Sequence, residues 1–77
     1  MTPPKGLRPL PFRRLSRRLA ELGFRPVRQV GSHVRFEHID GRGVTVPFHA
    51  RQDLDRGFVL RLLRQAEIDA DEFLRGL

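Results

Sequence analysis

Between Pro11 and Leu22 the apolar residues Phe12, Leu15, Leu19 and Leu22 recur at helical spacing, with Arg13, Arg14, Arg17 and Arg18 on the other side. Pro11 suits a first turn and Gly23 a stop, so the spacing predicts a helix over residues 11–22. From Phe24 the period changes to two. Arg25 to Val30, His33 to Ile39 and Arg42 to Pro47 read as three strands. In the second strand, Val34 and Phe36 share one face while His33, Arg35 and Glu37 share the other. Asp40-Gly41 is a hairpin signal, and Gly31-Ser32 joins the first two strands in a similar tight turn. Phe48 to Arg56 is an irregular, charged connection carrying His49. A second helix follows from Gly57 to Glu67, burying Val59, Leu62, Leu63 and Ala66. Asp69 then caps a last short helix, whose Phe73 and Leu74 fold back on the body. Met1 to Pro9, with three prolines and no periodicity, reads as a flexible arm.

The expected fold is therefore α+β: a helix, a three-stranded antiparallel sheet, a helix and a short C-terminal helix. Both longer helices should cover one sheet face and leave the other open. Double-stranded-RNA-binding domains share this order of elements, although a fold alone does not fix a function. Seventy-seven residues suit one domain over residues 1–77, with a thin core and a shallow, open site.

Charge changes the picture most. Fifteen basic residues face nine acidic ones, a net charge of +6, and fourteen of the fifteen are arginine. Guanidinium groups bind phosphate through forked hydrogen bonds, so a polyanion such as nucleic acid is the natural partner. A GC-rich genome or a heat-adapted host accounts for arginine replacing lysine, but not for the net charge. Without cysteine, disulfides, thiolate metal sites and cysteine nucleophiles are excluded. Residues 1–11 contain no apolar run resembling a signal peptide, and no stretch approaches the length of a membrane span. A soluble cytoplasmic protein is expected.

The histidines at 33, 38 and 49 match no metal-ligand spacing, so no metal and no cofactor are expected. By parity His38 falls on the Val34/Phe36 side, as a core-edge residue. His33 begins a strand just after a tight turn, on the open face, with Arg35 two residues along. A histidine there can exchange protons near neutral pH while the arginine holds a phosphate. RNA brings its own nucleophile, the 2′-hydroxyl, so its cleavage needs only proton transfer and stabilisation of a charged phosphorane. On the residues alone, however, a lone surface histidine near a turn is more often incidental than catalytic.

Leu22-Gly23-Phe24 followed by Arg28-Gln29-Val30-Gly31-Ser32-His33-Val34-Arg35-Phe36 resembles the signature of HicA-type toxins. The similarity continues through Asp40-Gly41-Arg42, Val44-Thr45-Val46-Pro47 and His49, and resumes at Leu60 to Ile68. It spans about residues 12 to 74. The resemblance implies a double-stranded-RNA-binding-domain-like fold and an mRNA interferase whose catalytic histidine is His33. It also implies a HicB-type antitoxin partner that binds over the active surface. Arg28, Ser32, Arg35, Arg42 and His49 are the RNA-binding candidates in this scheme. Three positions depart from the expected pattern. Val34 stands where many members have a second histidine, Phe58 where threonine is common, and Glu67 where glycine is usual. Two other classes remain open: a non-catalytic RNA-binding or ribosome-associated module, and a protein-interaction domain whose open face docks a partner chain.

Overall fold

Val34 and Phe36 alternate with charged neighbours, and the strand they form is the centre of the sheet. A computed structural model describes residues 5–49 and 51–77 of the chain. Strand β1 (Leu10–Pro11) leads into helix α1 (Phe12–Glu21), followed by β2 (Phe24–Val30), β3 (His33–His38) and β4 (Gly43–Pro47). A short strand β5 (Asp53–Leu54), helix α2 (Arg56–Gln65) and helix α3 (Ala70–Arg75) complete the order. The three longer strands form an antiparallel sheet in the order β2-β3-β4, while β1 and β5 pair separately. This is an α+β, double-stranded-RNA-binding-domain-like fold.

One face of the sheet carries the core. Val34 and Phe36 of β3 and Val44 and Val46 of β4 are buried beneath Leu15 and Leu19 of α1 and Val59, Leu62 and Leu63 of α2. The opposite face carries His33, Arg35 and Glu37, and among the described residues no helix covers it, as the alternation in β3 predicts. Phe73 of α3 is fully buried. Arg18 of α1 ties that helix down, its Nε donating to the Phe73 carbonyl at 2.9 Å and a terminal nitrogen to the Glu72 carbonyl at 2.6 Å. The Asp69 side chain accepts from the Glu72 N–H at 3.1 Å, the expected cap.

Three local features differ from expectation. The N-terminal arm is docked rather than free from Leu7 onward, because Leu7 and Leu10 are each only 2 % exposed and Leu10 pairs with Leu54. Residues 1–4 of that arm lie outside the described residues. Part of the irregular connection is thereby recruited as β5. Helix α2 also starts earlier than the glycine, capped by Asp55, whose carboxylate accepts from the Phe58 N–H at 3.1 Å. No helix among the described residues is long and apolar enough to cross a membrane.

Gly23 is needed twice over. It adopts φ +94° just past the end of α1, and a Cβ there would lie 2.6 Å from Nε2 of His38. His38 accordingly sits at the core edge, its ring 5.0 Å from that of Phe24 in an edge-on arrangement.

The end of α2 shows the cost of the Glu67 departure. Ile68 N–H donates to the Leu63 carbonyl at 2.9 Å and Glu67 N–H to the Arg64 carbonyl at 3.1 Å, which together make a Schellman motif. Its left-handed position is filled by Glu67 at φ 55°, where a side chain with a Cβ is strained. Glu67→Gly is expected to stabilise the fold by about 1 kcal/mol, raising Tm by roughly 5 °C in a thermal melt. An unchanged or lower Tm would show that the strain is relieved elsewhere.

Candidate active site on the open sheet face

Gly31 and Ser32 form a two-residue turn with φ +58° at Gly31, the first central position, and negative φ at Ser32. This is the type II′ pattern, whose twist suits a hairpin and whose first position calls for glycine. The turn delivers His33 to the first position of β3, with Val30 and Pro47 as its Cα partners on either side. The His33 side chain is exposed, and no described residue hydrogen-bonds or ion-pairs with its imidazole. Both ring nitrogens are thus open to a ligand. Ser32 is half-buried, and its carbonyl accepts the Phe48 N–H, closing the sheet end beside the turn.

Register decides which arginines join His33. Strict alternation from Arg25 would send Arg28 to the helix side. Instead the β2–β3 register shifts between Pro26 and Arg28, leaving Val27 as the extra residue. This bulge re-aims the strand, so Arg28 pairs directly with Arg35 and shares the open face with it. Two guanidinium-bearing residues directly opposite one another cost roughly 0.2–1 kcal/mol in an isolated sheet. A bound polyanion would offset that repulsion by attracting both.

The Arg35 side chain does not lean toward His33. Its Nε lies 3.5 Å from a Glu37 carboxylate oxygen, and a terminal nitrogen lies 3.4 Å from the Thr45 hydroxyl. Its guanidinium covers Gly43, where a Cβ would collide with it. His33 and Arg35 are on one face about 7 Å apart along the strand. The guanidinium extends that separation, so it faces a different stretch of ligand from the one at His33.

Arg42 has another destination. Its Nε donates to Asp40 at 2.8 Å, and a terminal nitrogen donates to the carbonyls of Ala66 at 2.8 Å and Glu67 at 3.1 Å. The guanidinium also lies over the Phe24 ring, 5.1 Å from its centroid. The Arg42 backbone N–H, with further help from the guanidinium, holds the Asp40 carboxyl below the usual carboxylate range. Arg42 therefore clips the β3–β4 hairpin to the end of α2 rather than standing free beside His33.

His49 is exposed and follows Pro47, the Cα partner of His33, by two residues. The site thus gathers His33, Ser32, Arg28 and Arg35 on or beside the open face, with His49 at the same sheet end and Arg42 engaged elsewhere. Among the described residues, no group of three metal-capable side chains comes together.

Sequence reasoning passed over Phe48. It follows Pro47 and is 40 % exposed, with its ring 4.7 Å from that of Phe12. The signal was present as an aromatic residue between a strand end and a histidine.

No curated protein matches this chain significantly. The model of one family, described as the HicA toxin of bacterial toxin-antitoxin systems, matches residues 12–68, which run from the first residue of α1 to just past α2. That match takes in the turn bearing His33, the bulged β2 and the open sheet face, and on it the chain belongs to the HicA toxin family.

Proposed function

We propose that this toxin is an endoribonuclease that cleaves mRNA without a metal ion, using His33 for proton transfer. The observation that carries the reading is the unpartnered, exposed imidazole of His33 on a cationic sheet face in a chain of this family. In the reaction, the 2′-hydroxyl loses its proton as the 2′-oxygen–phosphorus bond forms. The phosphorus–5′-oxygen bond breaks, and the leaving 5′-oxygen takes up a proton. The products are a 2′,3′-cyclic phosphate and a 5′-hydroxyl. His33 serves one of the two proton transfers, with His49 or water serving the other. Arg28 and Arg35 hold phosphates on the same face, and Ser32 contributes a hydroxyl beside the turn. A HicB-type antitoxin would neutralise the toxin by covering this face.

The test is incubation of the purified protein with RNA in EDTA. New ends bearing 5′-hydroxyls that depend on His33 are expected. Products with 5′-phosphates would replace this scheme with attack by water. RNA that is bound but never cut would leave a binding module.

The placement of Arg35 adds a second expectation. Glu37 competes with phosphate for its guanidinium and puts a negative charge on the face. Glu37→Gln is expected to tighten RNA binding roughly three- to ten-fold at low salt, with a steeper salt dependence. Unchanged affinity in a binding titration would mean that RNA does not engage Arg35.

A further inference from the structure

At the sheet end that carries His33, a cleft of about 270 Å³ opens between the start of α1 and the residues after β4. Its walls are Pro11, Phe12, Arg13, Phe48 and His49. The Phe12 ring is braced from below by Phe36, with centroids 6.1 Å apart, and in turn supports the Phe48 ring at 4.7 Å. Phe48 is thus fixed on one side and open on the other. Phe48 in the cleft wall adjoins the neighbours of His33, since its N–H donates to the Ser32 carbonyl and Pro47, just before it, is the Cα partner of His33. By parity Phe48 lies on the helix side and His33 on the open side, so a chain rounding this end meets both.

Resting on the RNA-cleaving reading, we propose that this cleft holds one unpaired nucleobase next to the scissile bond, stacked on Phe48. A flat apolar wall suits the face of a base, and stacking of this kind tolerates any base. Arg13 and His49 at the rim suit the phosphates and base edges that accompany it. A purely apolar partner segment would leave those polar groups, and the +6 charge of the chain, without complement. Base pairing would hide the face that Phe48 needs, so the cleft selects single-stranded RNA or a splayed loop. The base fixes the sugar and its 2′-hydroxyl relative to His33, which makes Phe48 a positioning residue.

The test uses a short single-stranded RNA whose 2′-hydroxyls are methylated, so that the 2′-oxygen cannot attack and affinity is read without cleavage. Phe48→Ala is expected to weaken binding about ten-fold, with Tm followed to confirm a folded protein. An abasic substitution is moved one nucleotide at a time along the RNA. At one position it should cost the intact protein a similar factor and cost Phe48→Ala little more. The chain has no tryptophan or tyrosine. Phe48→Trp therefore supplies a lone indole at the site, whose fluorescence should be quenched by the intact RNA and not by the RNA abasic at that position. Equal losses at every abasic position, unquenched indole fluorescence, or weakened antitoxin binding with unchanged RNA affinity would overturn the proposal. Failure to cleave unmodified RNA in EDTA, together with position-specific quenching by the blocked RNA, would overturn the nuclease reading and leave the base site standing.

Discussion

Replacing His33 with alanine is expected to lower the rate of RNA cleavage by about 10²–10⁴-fold, the usual worth of one positioned proton-transfer group. The protein should remain folded. His33 is exposed at the first position of β3 and makes no side-chain contact that the fold depends on, and surface changes of that kind stay within about 0.5 kcal/mol. RNA affinity should also change little, because Arg28 and Arg35 still face the ligand from paired positions. The combination of lost turnover, unchanged Tm and retained binding is what separates a catalytic residue from a structural or merely contacting one. His33→Gln should behave the same way, since an amide can hydrogen-bond but cannot exchange a proton at the working pH. Single-turnover cleavage at saturating protein, with circular dichroism and an affinity titration, reads all three quantities. Retained cleavage in either variant would remove His33 from the reaction.

The position of His33 was legible because strand alternation is a local rule. Val34 and Phe36 had to face the helices, so His33 and Arg35 had to face away. The II′ turn was equally local, since Gly31 stands where a positive φ is required. Less was legible wherever the chain departs from period two or reaches across the molecule. Parity alone sends Arg28 to the wrong side, and only the register shift at Val27 restores it. The β1–β5 pairing joins segments more than forty residues apart, each too short to announce itself, and nothing local marks Leu7 as buried. Phe48 looked like part of a loop because its significance comes from contact with Phe12, at the start of α1 and far away in sequence. Arg35 sits on the expected face, yet Glu37 and Thr45 draw its guanidinium along the strand, which no alternation pattern encodes.

Arg42 is the sharpest case of a residue whose chemistry suggests one role and whose surroundings give it another. As a free phosphate contact, its loss would weaken RNA binding evenly and lower the salt slope by about one, with little effect on stability. Its hydrogen bonds to the Ala66 and Glu67 carbonyls point to a different result. Those carbonyls belong to the C-cap of α2 and the residue after it, and the guanidinium supplies them with a donor. Arg42→Ala is therefore expected to destabilise the protein by about 2 kcal/mol, in the range for hydrogen bonds to a charged group, and to lower Tm on the order of 10 °C. Arg42→Lys should recover only part of this, since an ammonium cannot reach Asp40 and both carbonyls while lying flat over Phe24. The clip also carries a pH signature. Folding favours the ionised form of Asp40, so its contribution is full above the ordinary carboxylate range and fades as pH falls through the depressed folded value. Arg42→Ala should reduce that acid-side loss only in part, because the backbone N–H of residue 42, the largest cause, and the nearby His38 remain while the guanidinium's share goes with the side chain. Thermal melts of the wild type and the variant across that pH range read the difference. A variant with an unchanged Tm and a reduced salt slope would return Arg42 to the RNA-binding surface.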